Sequence, residues 1–324
     1  MPAKKRAVLI VNLGSPEKLT VRSVRQFLRH FLGDPRVVNL PRALWWLILN
    51  FFVLPFRPSK STKAYAKVWT DRGSPLTYLT QDLTDKVAQR FEQEPQVSVQ
   101  MAMSYGKPSL SGVLRKLHKA QCEQLTIVPL YPQYSSTTTA SVFDTVAAEL
   151  MKWRYIPELN FINDYHQHPL YIRSIANSVL KTWAEHGQGE LLVLSFHGLP
   201  DLLTKKGDPY YYQCLKTAEL IAAQLMIKDH QWRVVFQSRF GKAKWLQPYC
   251  VETLMALPDE GIKNIDIICP GFAIDCLETL EEINMTNKEV FIQAGGQGYQ
   301  YIPALNDSDA NVQLMLDLIS NRGS

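Results

Sequence analysis

The sequence predicts an α/β protein made of two domains, each a parallel sheet flanked by helices. Three observations carry this. Short runs rich in Val, Ile and Leu alternate with helical patterns along the whole chain, as in βαβ units whose strands are covered on both faces. The length of 324 residues suits two domains of average size. The two halves also echo each other: Leu13-Gly14-Ser15-Pro16 with His197-Gly198-Leu199-Pro200, Ser104-Tyr105-Gly106 with Arg239-Phe240-Gly241, and Pro129-Leu130-Tyr131 with Pro270-Gly271-Phe272. Each triplet follows an apolar run, and the order is the same in both halves.

The first strand is expected at 7–12. Its apolar run is too short for the core of a signal peptide, and Gly14-Ser15-Pro16-Glu17 is turn chemistry without a small-residue cleavage site. A helix over 20–32 precedes the stretch 43–56, which is almost wholly apolar and flanked by Arg42, Arg57 and Lys60. Spanning a bilayer takes about 20 such residues, and Asn50 and Pro55 interrupt this run. It is either a buried core helix over 42–54 or an exposed lip that dips into a membrane interface, anchored by Trp45 and Trp46.

Helices at 78–93, 109–120 and 138–151 then lead to strands at 97–103, 124–130 and 158–162. The polar turn at 163–169 marks the boundary, giving domains at 1–163, with the lip 43–56, and at 164–324. The second half reads as helices at 169–186, 210–226, 249–256, 275–284 and 309–321, with strands at 190–196, 233–237, 264–269 and 290–294. Gly295-Gly296-Gln297-Gly298 lacks phosphate-loop spacing and opens no helix, so it reads as a plain turn.

Composition narrows the function. Hydrophobic residues make up 46% and charged residues 20%, an ordinary globular balance. The formal charge of +5 is scattered, with no nucleic-acid fingerprint, and suits anionic small molecules or a membrane surface. Five cysteines without a C-x-x-C pair point to a reducing compartment.

The chemistry concentrates in the second half. Leu191-Leu192-Val193-Leu194-Ser195-Phe196 reads as a buried strand that delivers His197 to its carboxyl end, where open α/β sheets bind ligands. Taken alone, such a histidine could simply hydrogen-bond the following turn. After the strand at 264–269, Asp275, Glu278 and Glu282 stand at i, i+3 and i+7, three carboxylates on one helical stripe. Asp275 with Glu278 has the form of a capping box, but Glu282 lies beyond the first turn. Like charges on one stripe cost energy unless a cation or shared protons offset them. A histidine and a carboxylate ladder suit acid–base work or a loosely held divalent metal. The first half contributes no matching acids. Its loops, Tyr131-Pro132-Gln133-Tyr134-Ser135 and Gly73-Ser74-Pro75-Leu76, suit a flat, largely apolar ligand with a few anionic groups.

These segments together resemble the ferrochelatase family along nearly the whole chain. The signatures are Val11-Asn12-Leu13-Gly14-Ser15-Pro16, Tyr65 with Gly73-Ser74-Pro75-Leu76, Pro129 to Ser135, Phe196 to Pro200, Gly207-Asp208-Pro209-Tyr210, Gln237 to Gly241, Trp245-Leu246, and Pro270-Gly271-Phe272 with Glu278 to Glu282. The resemblance implies two Rossmann-like domains facing across a porphyrin cleft, a chelatase-like fold. It implies insertion of Fe(II), as a substrate, into protoporphyrin IX with release of two protons, the terminal step of haem biosynthesis. It makes His197 and Glu278 the pair that handles metal and pyrrole protons, and Asp275 and Glu282 the rest of an acidic path. Leu13, Tyr65, Ser74, Tyr131, Ser238, Trp245 and Phe272 are expected to contact the porphyrin. A bound ring must be distorted to expose its nitrogens, at a strain of about 1–5 kcal/mol drawn from binding elsewhere.

No resident cofactor is expected. Some relatives ligate a [2Fe–2S] cluster through a C-terminal extension, and no cysteine follows Cys276 here. An internal cluster on Cys214, Cys250, Cys269 and Cys276 has no familiar spacing behind it. Cys276 stands where some relatives carry a second histidine. The partners expected are protoporphyrin IX and Fe(II), with peripheral membrane contact through 43–56 and no nucleic acid. The location expected is cytoplasmic, on the inner face of the plasma membrane. A cobalt chelatase acting on a precorrin-type ring and a porphyrin or haem carrier without catalysis are the competing readings.

Overall fold

A computed structural model describes residues 4–241 and 243–320. The start of the basic N-terminal stretch, Met1 to Ala3, and the end of the last expected helix, Asn321, lie outside them. Two compact units divide the described chain.

The first unit takes in 4–130, 135–164 and 307–320. Its elements are β1 (Arg6–Asn12), α1 (Val21–Gly33), α2 (Arg42–Ile48), α3 (Arg57–Val68), α4 (Pro75–Gln89), β2 (Val97–Met103), α5 (Leu110–Lys119), β3 (Gln124–Pro129), α6 (Thr139–Leu150), β4 (Glu158–Phe161) and α12 (Asp309–Ser320). Four strands form a parallel sheet in the order β2-β1-β3-β4. Val8, Leu9, Ile10 and Val11 of β1 have no exposed surface, as a central parallel strand covered on both faces requires.

The second unit takes in 131–134 and the described residues of 165–306. It holds α7 (Pro169–His186), β5 (Leu191–His197), α8 (Asp201–Lys205), α9 (Tyr210–Leu225), β6 (Trp232–Gln237), α10 (Cys250–Ala256), β7 (Asn264–Ile268), a π-helix (Glu278–Asn287), α11 (Lys288–Gln293) and β8 (Gly298–Ile302). Its parallel sheet runs β6-β5-β7-β8, the order of the first sheet with each strand's number raised by four. Its core gathers Leu191, Val193 and Val235 from the sheet with Leu254, Ile283, Phe291 and Tyr299.

In both units a backbone hydrogen bond joins the ends of the central strand and its neighbour, with the donor and acceptor strands exchanged between the halves. In the first unit Tyr105 N–H donates to the carbonyl of Leu13, joining the ends of β1 and β2. In the second, Gly198 N–H donates to the carbonyl of Gln237, joining the ends of β5 and β6. The glycine after each central strand is demanded by this approach. A Cβ on Gly14 would lie 1.8 Å from the Tyr105 carbonyl oxygen, and one on Gly198 would lie 2.5 Å from that of Gln237.

The structure departs from the sequence expectations at several elements. The run 290–294 is not a strand. Val290 to Gln293 lie in α11, and Ile283, Asn287 and Phe291 are buried four residues apart, a helical spacing. The last strand is β8, which begins within the glycine turn. Helix α3 is not expected from sequence, since its polar residues give little apolar period, although Pro58 in its first turn is a start signal. The short α8 is likewise not expected from sequence. The helix expected over 42–54 is α only to Ile48 and a π-helix over Leu49–Val53.

The stretch 43–56 is not a core helix. Trp45 is buried and its indole N–H donates to the Leu32 carbonyl at 2.6 Å, while Leu49 and Leu54 turn inward. Leu44, Trp46, Leu47, Phe51, Phe52 and Phe56 are exposed, Phe52 at 69% and Phe56 at 73%. No helix of the described residues is long and apolar enough to cross a membrane.

Candidate active site

Two adjacent strands of the second unit deliver the chemistry to one sheet edge. β5 and β7 pair in parallel from Leu191 with Ile265 to Leu194 with Ile268, so both end at the same edge. His197 is the last residue of β5 and lies opposite Gln237, the last of β6. The chain leaving β7 turns through Cys269 to Phe272 and reaches the π-helix at Glu278.

His197 is half-buried, and its ring meets Phe272 edge-on with centroids 6.3 Å apart. Burial lowers the imidazole pKa, and the charge of Glu278 opposes that shift. The direction is that of burial, so at neutral pH the ring is uncharged and can accept a proton.

The carboxylates fall into three different environments. Asp275 is buried and fully engaged: Thr279 Oγ1 donates to it at 2.8 Å, Asn306 Nδ2 at 2.7 Å, and the Tyr301 hydroxyl also donates. Its own N–H donates to Asn306 Oδ1 at 2.8 Å. The capping box expected with Glu278 does not form, because these partners from β8 and the loop after it take the carboxylate instead. Glu278 is half-buried beside the Cys276 thiol, which its charge pushes up further than burial alone does. Glu282 accepts the Ser238 N–H at 2.7 Å and the Ser238 hydroxyl. Burial raises its pKa to about 7, and the neighbouring Glu278 charge adds to this against the Ser238 hydrogen bonds.

The expected α-helix over 275–284 is a π-helix that starts three residues later. Gln237 Nε2 donates to the Glu278 carbonyl at 3.0 Å, and the Tyr299 hydroxyl to that of Ile283 at 2.6 Å. Gln237 also accepts from Ser195 Oγ at 2.8 Å, so one buried amide ties β5, β6 and the π-helix together. From sequence, Gln237 and Thr279 stand only inside longer motifs, and nothing singles out Tyr301 or Asn306. A strand that ends in glutamine after Val-Val-Phe is the one signal that marked any of them.

The remaining expected residues are distributed between the units. Tyr131, Trp245 and Phe272 belong to the second. Trp245 pairs as a bridge with Pro200, and its indole N–H is a buried donor with no partner among the described residues. Ser238 has its hydroxyl on Glu282. Leu13, Tyr65 and Ser74 belong to the first unit, where Tyr65 is buried edge-on to Trp69 and Ser74 immediately precedes α4. Among the described residues no three of His, Cys, Asp and Glu converge as a metal-holding group. All five cysteines are buried and free.

Comparisons with known proteins bear on the family and the fold. The family model described as Ferrochelatase matches residues 5–323. The chain is 50% identical over 319 residues to a ferrochelatase of Methylococcus capsulatus, covering 98% of this chain and 96% of that one. It is 47% identical over 316 residues to a ferrochelatase of Vibrio cholerae, covering 98% of each. In fold it is similar to SirB from Bacillus subtilis, solved with Fe3+ (TM-score 0.57, 13% identity, 98% and 96% covered). It is also similar to CbiX, an enzyme of sirohaem biosynthesis (TM-score 0.54, 15% identity, 98% and 100% covered). The chain belongs to the ferrochelatase family, the lyases that insert iron into a porphyrin in haem biosynthesis.

Proposed function

We propose that this chain inserts Fe(II) into protoporphyrin IX, with His197 and Glu278 handling the metal and the two pyrrole protons. The observation that carries the reading is a half-buried imidazole at the end of β5, whose pKa burial lowers against the opposing charge of the Glu278 carboxylate. A neutral imidazole can accept a pyrrole proton at physiological pH. Each proton lost leaves a pyrrole nitrogen lone pair for the metal, so two protons leave as one divalent ion enters. Glu282, poised near pH 7, takes protons onward from Glu278. Asp275, with both oxygens engaged, serves this path by bracing the π-helix against β8. Leu13, Tyr65, Ser74, Tyr131, Trp245 and Phe272 are given porphyrin contacts by the same reading, and the unpaired Trp245 donor supports its part. The family match does not favour a cobalt chelatase or a carrier.

An anaerobic assay with Fe(II) and protoporphyrin IX, read by loss of free-base fluorescence, tests the activity. Its pH profile tests the path. Glu282 accepts protons only when ionised, and its pKa is raised, so kcat is expected to fall as pH drops through about 7. The His197 limb lies lower, because burial shifts it below the ordinary imidazole range. Glu282→Gln is expected to remove the upper limb; a profile unchanged by that substitution would take Glu282 off the path.

The exposed face of 43–56 is proposed to rest on an anionic membrane surface. Aromatic and aliphatic side chains project there, with Arg57 and Lys60 following in the chain. Trp46→Ser with Phe52→Ser is expected to abolish co-sedimentation with anionic liposomes while leaving turnover of dispersed porphyrin intact. Equal sedimentation of variant and parent would exclude this face. Trp45 is unsuitable for the test, since its loss would break the bond to Leu32.

A further inference from the structure

β6 ends at Gln237, and the next residue, Ser238, holds a left-handed backbone with φ of +64°. That region is disfavoured for any side chain with a Cβ, and a serine there marks a position held by its surroundings. What the conformation achieves is visible in its contacts. The Ser238 N–H and hydroxyl both point at one carboxylate, the former at Glu282 Oε1 and the latter at Oε2. The preceding Gln237 amide grips the π-helix four residues earlier, at the Glu278 carbonyl. Consecutive residues leaving one strand therefore hold the two carboxylate-bearing positions of the helix in fixed relation. The other groups that act on Glu282 are the Gln237 side-chain amide, which favours its ionised form as Ser238 does, the Glu278 carboxylate, and the thiols of Cys250 and Cys269.

We propose that Ser238 is a positioning residue of the proton path, whose left-handed backbone aims two donors at Glu282 and fixes that carboxylate toward Glu278. This rests on the reading of Glu282 as a proton acceptor. It differs from a porphyrin contact, because both of the serine's donors are spent on the protein.

The backbone supplies the test. Glycine enters the left-handed region freely, so Ser238→Gly relieves the strain while deleting the hydroxyl. Ser238→Ala deletes the hydroxyl and keeps the restricted backbone. Both variants are expected to lose about tenfold in kcat with an unchanged KM for protoporphyrin, and Ser238→Gly to melt no lower than the parent. Combined with Glu282→Gln, Ser238→Gly is expected to add no further loss, since the group it positions is gone. A raised porphyrin KM with unchanged kcat would show a substrate contact and overturn the proposal. Additive losses in the double variant, or parental kcat in Ser238→Gly, would overturn it equally. If Glu282→Gln alone turns over normally, the reading of Glu282 has failed instead, and the single-variant results then report on Ser238 separately.

Discussion

Glu278→Gln is expected to fold as the parent does and to form metalloporphyrin at least about a thousandfold more slowly, the scale on which essential acid–base groups act. The substitution keeps the size of the side chain, and the tie between this residue and the rest of the site runs through its backbone carbonyl to Gln237. The fold therefore does not depend on the carboxylate charge. The chemistry does, since an amide cannot take a proton from the ring and offers His197 no opposite charge. His197→Ala is expected to lose as much. Combining the two should cost little more than either alone, because residues that act as one unit are not additive. Turnover under anaerobic Fe(II), with thermal melting as the control for folding, decides it; near-normal rates in either variant would remove the pair from its assigned role.

Gly14→Ala is expected to carry the largest cost in stability, about 3–5 kcal/mol, within the range kept for backbone strain combined with overpacking. Gly14 has φ of +98°, where an L side chain is already strained, and its Cβ would sit inside the contact distance of the Tyr105 carbonyl. That oxygen belongs to the backbone and cannot swing aside. Gly198→Ala, at the equivalent place in the second unit, meets the Gln237 carbonyl less severely and has no positive φ. A smaller loss is expected there, together with impaired turnover, because the displaced strand end carries His197. Denaturant midpoints at constant slope measure both. A cost below about 1 kcal/mol for Gly14→Ala would contradict the close approach of the two strand ends.

The two parallel sheets were legible because central parallel strands are largely apolar, as β1 and β5 are; the order of the strands within each sheet was not. His197 and Glu278 were legible because an ionisable group at the end of such a strand, or a carboxylate repeated along a helix, breaks the surrounding pattern. What the sequence could not show is pairing at a distance. Asp275 reads as a helix cap until Tyr301 and Asn306, more than twenty residues away in the chain, are brought to it. Ser238 reads as a polar loop residue until Glu282 arrives beneath it. The π-helix is hidden for another reason: buried positions four apart serve an α-helix as well, and only the backbone hydrogen-bond pattern distinguishes the two.

The path of the chain through the first unit bears on the order of assembly. That unit is interrupted by residues 165–306, which carry the whole sheet of the second, and completed only by α12, which packs on α4 and β3. Its fastenings span the interruption, with Arg6 Nη2 donating to the Ile319 carbonyl and Lys86 bonded to Asp307. During synthesis the second unit therefore emerges with every strand of its sheet, while the first still waits for its closing helix. A nascent chain stopped at residue 306 should show a protease-resistant second unit and a first unit that is still cleaved.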